Sequence, residues 1–333
     1  MAGPVQTPAA GIVTLEVRLP PGGPLSGMAA DVRAGLTKPF KELSPRYFYD
    51  ERGSRLFEQI TALPEYYPTR AERSILESRS SEIVAAVGDP ATLIELGSGS
   101  AAKTRVLLDA MRTAGCLEAY APVDISEGIT RETADRIAAE YGGIAVHGLV
   151  CDYELDLERI PLGAPRLIAF LGGTIGNFQP AQRASFLRRV ANLLGPDDRF
   201  LLGIDLVKGR ERLEAAYNDS AGVTAEFNKN VLAVLNRELT ADFDLDAFEH
   251  IAFWDDDNLW MDIRLRSLRR QLVEIAALGM QVPFDRGEEM RTEISTKFTR
   301  EGLAGIYGEA GLELTDWVTD PDGEFALSLA RAA

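Results

Sequence analysis

The sequence predicts an α/β fold: a doubly wound, mostly parallel sheet closed by an antiparallel hairpin, with a smaller α+β unit beside it. Three observations predict it. The apolar run Thr92-Leu93-Ile94-Glu95-Leu96 breaks into Gly97-Ser98-Gly99-Ser100 and then into helix-compatible sequence, as the first strand and turn of a nucleotide-binding sheet do. From there to Asp205, short apolar runs alternate with amphipathic spacing, the pattern of strands covered on both faces by crossover helices. Near the C-terminus, Asp320-Pro321-Asp322-Gly323 separates two strand-like runs, and that turn chemistry joins them as a hairpin.

The elements follow in order. Residues 1–20, rich in Pro, Gly, Ala and Thr, read as a mobile tail. Helical spacing recurs over Met28–Leu36 and Arg55–Ala62. Between and after these helices lie two aromatic segments, Tyr47-Phe48-Tyr49 and Leu63-Pro64-Glu65-Tyr66-Tyr67-Pro68-Thr69-Arg70. Their aromatics either line a site or pack two helices together, and composition leaves both open. Glu72–Val87 is an amphipathic helix leading into the strand Thr92–Leu96. Strands over Tyr120–Val123, Ala145–Val150, Arg166–Leu171 and Arg199–Asp205 alternate with helices over Thr104–Arg112, Glu132–Tyr141 and Pro180–Leu194. After Val207 the pattern changes to helices over Glu211–Tyr217 and Thr224–Leu239, then strands over Leu259–Leu268, Gln271–Ala277 and Thr292–Phe298. The helix Thr299–Ala310 and strands Leu312–Thr319 and Glu324–Ala330 return to the first pattern. The domains expected are 72–207 with 298–333, and 21–71 with 208–297.

A formal net charge of -16 and a pI near 4.7 argue against a nucleic-acid surface, which needs clustered Lys and Arg. Cys116 and Cys151 show no zinc-ligand spacing, and His147 and His250 stand alone, so no metal is expected. No apolar run approaches the roughly 20 residues of a membrane span, and the N-terminus lacks a secretion-signal profile. A cytoplasmic monomer acting on a small molecule is the expectation.

Three ligands suit the glycine turn. Gly97-x-Gly99 followed by Ala102 approaches a dinucleotide fingerprint. Gly97 to Thr104 also ends like a phosphate loop, but Ala102 stands where that motif needs Gly. S-adenosylmethionine, which lacks a pyrophosphate, needs only close backbone approach. Two carboxylates discriminate. Asp124 ends the second strand, where it can accept both hydroxyls of an unphosphorylated ribose. Asp152 follows the third strand, where it can accept from an adenine amino group beside the Tyr153 backbone. Singly, each acid could instead cap a helix. Together, and with the terminal hairpin, they favour the methyl donor.

Four motifs carry a more specific likeness: Leu63-Pro64-Glu65-Tyr66-Tyr67-Pro68-Thr69-Arg70, Glu95-Leu96-Gly97-Ser98-Gly99, Phe170-Leu171-Gly172-Gly173-Thr174-Ile175-Gly176-Asn177 and Thr292-Glu293-Ile294-Ser295-Thr296-Lys297-Phe298. From about Asp31 to the C-terminus the chain resembles the histidine-specific Nα-methyltransferases of ergothioneine biosynthesis. The resemblance implies a Rossmann-like class I methyltransferase sheet with a smaller α+β substrate-binding domain. It implies transfer of three methyl groups from S-adenosylmethionine to the α-amine of L-histidine, giving hercynine. By position it places the cofactor at Gly97, Lys103, Asp124, Asp152 and Tyr153. It places the substrate at Tyr66, Phe57, Gly172, Asn177 and Tyr217, with the imidazole at Glu293 and Ser295, and makes Tyr49 and Asn177 the candidates for the transfer step. Gly173 departs from a common Ser, and Ile263 from an expected pocket Met.

These residue types suit the chemistry. Methyl transfer to a neutral amine chiefly requires that two reactants be positioned. Asn177 offers a donor and an acceptor, and Tyr217 a hydroxyl donor. Strand alternation puts Glu293, Ser295 and Lys297 on one face. On its own that face suggests a solvated Glu293–Lys297 pair, and the resemblance replaces it with a ring-binding pair of Glu293 and Ser295. Faces of Tyr49, Phe57 and Tyr66 can stabilise the cationic product.

Overall fold

The computed structural model describes residues 12–19, 27–88, 92–157 and 165–333. The strands are β1 (Ile12–Val17), β2 (Lys41–Glu42), β3 (Thr92–Leu96), β4 (Ala119–Asp124), β5 (Ala145–Val150), β6 (Arg166–Phe170), β7 (Arg199–Asp205), β8 (Phe248–Asp255), β9 (Trp260–Ser267), β10 (Gln271–Ile275), β11 (Met280–Phe284), β12 (Glu289–Thr296), β13 (Leu312–Thr319) and β14 (Phe325–Ala332). The helices are α1 (Met28–Leu36), α2 (Glu51–Ala62), α3 (Pro68–Val87), α4 (Arg105–Ala114), α5 (Glu127–Glu140), α6 (Tyr153–Asp156), α7 (Pro180–Leu193), α8 (Arg210–Tyr217), α9 (Val223–Leu239) and α10 (Arg300–Ala310).

An eight-stranded sheet runs in the order β1-β5-β4-β3-β6-β7-β14-β13. All pairs up to β7 are parallel, and β14 and β13 close the sheet antiparallel. The fold class is the one expected. Its inner strands are continuous apolar runs because both faces are covered. Leu93, Leu167 and Leu201 pack under residues of α3, α4 and α5, while their neighbours Ile94, Ile168 and Leu202 pack under α7 and α10. The strand order reverses beside β3, whose neighbours are β4 and β6. At such a switch point the helices diverge and leave a crevice at the strands' carboxyl ends.

The second unit is a four-stranded sheet, β2-β12-β9-β8, with a separate β10-β11 hairpin. Residues of α1, α2 and α9 share one apolar cluster with it, including Met28, Phe48, Ile60, Leu235, Leu265 and Met290. A register shift between Arg291 and Glu293 puts a β-bulge in β12 immediately before Glu293.

The structure differs from the sequence expectation in several places, of which four bear on the architecture. Ile12–Val17, expected in a mobile tail, is an edge strand parallel to β5, because Ile-Val-Thr-Leu-Glu-Val is rich in β-branched residues that suit strand geometry. The rest of the expected tail up to residue 11, and residue 20, lie outside the described residues. Helix α3 begins at Pro68 rather than Glu72, since proline at the first helical position gives up only an N–H that has no intrahelical partner. Strands β8 and β11 escaped the pattern reading. β8 has intermediate burial at most positions and so lacks a clean two-residue alternation, whereas β11 alternates but is only five residues long and carries Pro283, which argues against a strand.

Candidate active site

The crevice at the carboxyl ends of β3, β4 and β5 is built largely from backbone. Gly97 N–H donates to the Val123 carbonyl at 2.8 Å, which ends β3 against β4. Asp124 accepts from Gly99 N–H through one carboxylate oxygen and from Ser126 N–H through the other, both at 3.0 Å. Burial raises its carboxyl pKa, and those backbone donors oppose the rise. Arg46 reaches Asp152 at 3.2 Å. Tyr153 packs its ring on Phe170 at 5.4 Å, within 3.7 Å of where a Cβ on Gly97 would sit. The Ser98 hydroxyl in this turn is buried without a partner. An orphaned donor, two carboxylates at strand ends and an open glycine backbone fit an adenosine with an amino-acid tail. Lys103 is ion-paired to the fully buried Glu72, whose other oxygen accepts from Gly172 N–H at 2.7 Å. It therefore ties the turn after β3 to the turn after β6.

That second turn, 171–177, separates this crevice from a cavity of about 70 Å³. Gly172 and Gly173 hold left-handed φ values of 81° and 71°, a conformation open to glycine without strain, so glycine in place of Ser at 173 suits the backbone found there. Gly176 allows close approach: a Cβ there would lie 2.8 Å from the Thr296 carbonyl oxygen. That contact seats the turn on β12 and brings Asn177 within hydrogen-bonding reach of Glu293.

Tyr49, Phe57, Tyr66, Gly172, Asn177, Tyr217, Glu293 and Ser295, which come from four separate stretches of chain, all line this one cavity. The aromatics form an edge-to-face chain, Tyr49 to Phe57 at 5.7 Å, Phe57 to Tyr66 at 6.3 Å and Tyr66 to Tyr217 at 6.3 Å. Lining the cavity and packing α2 against α9 are therefore one arrangement, with Phe227 of α9 meeting Tyr49 at 5.5 Å and Phe57 at 5.9 Å. Burial pushes the Tyr66 and Tyr217 phenols well above their usual range, so both stay protonated. Burial also raises the Glu293 carboxyl to about 7, against the pull of Lys297 and the Asn177 hydrogen bond.

Residues 28–332 match the sequence profile of the histidine-specific, SAM-dependent methyltransferases. The chain belongs to that family. It is 55% identical to the histidine N-alpha-methyltransferase of Mycolicibacterium smegmatis, with 90% of this chain and 93% of that one aligned. It is 50% identical to the enzyme of the same name from Mycobacterium tuberculosis, over the same shares. Ergothioneine biosynthesis protein 1 of Neurospora crassa is 31% identical over 83% of this chain, which spans 32% of that longer protein.

Several residues of the site escaped the sequence reading. Lys297, read on its own as half of a solvated pair with Glu293, is 1% exposed and bonded to Asp205 at 2.8 Å. Asp205 also lines the cavity and accepts from the Tyr67 hydroxyl at 2.9 Å. The signal for Asp205 was present, since it ends a parallel strand as Asp124 does. His250 bonds the Tyr217 carbonyl at 2.8 Å and Asn228 at 2.9 Å, a satisfied core histidine that fixes the end of α8. Ile263 lies opposite Glu293 in the β9–β12 register, packed with Leu213, Trp254 and Met261. Among the described residues no group of three or more His, Cys, Asp and Glu could hold a metal ion, and no helix is long and apolar enough to cross a membrane.

Proposed function

We propose that this chain transfers methyl groups from S-adenosylmethionine to the α-amine of L-histidine until the trimethyl product hercynine is formed, the step that ergothioneine biosynthesis requires. The observation that carries this reading is the convergence of Asn177, Tyr217, Glu293 and Ser295 in one aromatic cavity beside the glycine turn. S-adenosylmethionine supplies a methyl group on a sulfonium, already activated for in-line displacement. The carboxylates of Asp124 and Asp152, with the backbone at Gly97 and Tyr153, would hold its adenosine, and Lys103 would brace the turn through Glu72. Asn177 and Tyr217 would orient the substrate's carboxylate and amine by hydrogen bonds, while Glu293 and Ser295 would read the two ring nitrogens. Neutral phenols are poor bases, so the amine proton leaves to water rather than to Tyr66 or Tyr217. The faces of Tyr49, Phe57 and Tyr66 then stabilise the growing cation without needing an acceptor on it, about 0.5–2 kcal/mol per contact. Residues of 21–71 and 208–297 supply most of the acceptor pocket, which the turn after β6 completes with Gly172 and Asn177, and residues of 72–207 supply the donor site. The cavity is complete within one chain, so a monomer suffices.

Mass spectrometry of each of the twenty amino acids incubated with the protein and S-adenosylmethionine tests this. Histidine gaining three methyl groups is the expected result. Preference for another amino acid would overturn the substrate assignment and leave the family standing.

A further inference from the structure

Lys297 has no place in the roles given above, yet it is buried directly behind two residues of the cavity lining, Tyr217 and Ser295. It is 1% exposed, and an ammonium has three donors and no acceptor. All three donors are spent: on Asp205 at 2.8 Å, on the Tyr217 hydroxyl at 2.7 Å and on the Ser295 hydroxyl at 2.8 Å. The two hydroxyls are themselves 2.8 Å apart. Each must accept from Lys297, so neither can turn its hydrogen toward the lysine. Of their two hydrogens, one is used in the bond between them. The other has only the cavity to point into.

We propose that Lys297 is a positioning residue for substrate recognition: as a donor-only neighbour it compels the Tyr217–Ser295 pair to present one hydroxyl donor to the ligand, selecting a hydrogen-bond acceptor at that point. This rests on the histidine reading, in which the acceptor is a carboxylate oxygen beside Tyr217 or an unprotonated ring nitrogen beside Ser295. Asp205 anchors the arrangement. It is held on its other side by Lys208 at 2.5 Å and by Tyr67, and Lys208 spends its remaining donors on Tyr67 at 2.7 Å and the Leu206 carbonyl at 2.6 Å. Two lysines therefore flank one carboxylate, and only the donors of Lys297 end on the substrate-facing hydroxyls. Freed of Lys297, the hydroxyl pair could rotate to accept or donate in either sense, and the ligand would have to order it on binding.

The test is Lys297→Met in the full chain. The substitution leaves Asp205 paired with Lys208 and Tyr67, so no buried charge is orphaned. Steady-state kinetics should show KM for histidine raised roughly 10- to 100-fold, the scale of a lost charge-assisted hydrogen bond, with kcat changed much less. Calorimetry should show the affinity for S-adenosylmethionine unchanged. Combined with Ser295→Ala or with Tyr217→Phe, the loss should fall well short of the product of the single losses, because the lysine acts through those hydroxyls. An unchanged KM, or losses that multiply, overturns the proposal. If Lys297→Met does not fold, Lys297→Gln, which keeps two amide donors, carries the same cycle. If the unmodified protein binds S-adenosylmethionine but does not methylate histidine, the histidine reading has failed instead, and the cycle is run on the amino acid that it does methylate.

Discussion

The donor crevice and the acceptor cavity lie on opposite sides of the turn 171–177 and are made of different material. The crevice is mostly backbone: Gly97 N–H, Gly99 N–H and Ser126 N–H are organised by one carboxylate and by the end of β4. The cavity is made of side chains, with rings from the segment 47–67 and α9 and polar groups from the turn, α8 and β12. A backbone site tolerates many side chains and serves a ligand that does not vary. A side-chain site can be altered one residue at a time, which is how acceptor specificity is set without disturbing the donor. The two sides meet where Glu72 takes Lys103 from one and Gly172 N–H from the other.

The largest effect that sharpens this contrast is expected at Asp124. Asp124→Ala removes the proposed ribose acceptor and leaves Gly99 N–H and Ser126 N–H without their carboxylate partner, so calorimetry should show S-adenosylmethionine bound on the order of 100-fold more weakly. Substrate preference among amino acids, measured on the residual activity, should be unchanged. Glu293→Ala is the converse. It should cost roughly 10- to 100-fold in kcat/KM for histidine and erase the preference over other amino acids, with cofactor affinity kept. Weakened cofactor binding in that variant would break the separation of the two sides.

A smaller effect is expected at Phe57. Phe57→Leu removes a ring face from the cavity, so binding of dimethylhistidine and trimethylhistidine should weaken about 2- to 30-fold, while binding of histidine changes less. Unchanged affinity for the methylated forms would sink the role given to the aromatics. The smallest is a pH effect on the ligand-free protein. With its pKa raised from 4.5 to about 7, Glu293 keeps in the folded chain a proton that the unfolded chain releases. Its contribution to stability is therefore complete below about pH 4.5 and is lost as pH rises through 7. Thermal melting should show Glu293→Gln losing less stability than the unmodified protein between pH 5 and 8. Glu95, raised to about 7 by burial, gives the same slope in both.

Much of the first side is legible in the sequence. Strands buried on both faces announce themselves as apolar runs, glycines mark the turn that ends one, and Asp124 and Asp152 stand at the ends of two others. Asp205 stands in the same position but is not legible as a site residue on its own, because a terminal acid reads as a ligand group only when a cofactor explains it. The second side was less legible. Tyr49, Asn177, Tyr217 and Glu293 are scattered over the chain, and only the family motifs linked them. Pattern alone made Glu293 and Lys297 a surface pair, since alternation says which residues share a face and not what covers it.

The sequence by itself determined the parallel sheet, its hairpin, the glycine turn and the family, all of which rest on periodicity and local motif. Only the tertiary structure decided what Lys297 pairs with, how the bulge in β12 aims Glu293, and how Gly176 lets the turn after β6 seat against β12. The physical reason is that hydrophobic periodicity and turn preference are local properties of the chain. Desolvation and hydrogen-bond satisfaction belong to groups far apart in sequence, and they act only when those groups are brought together.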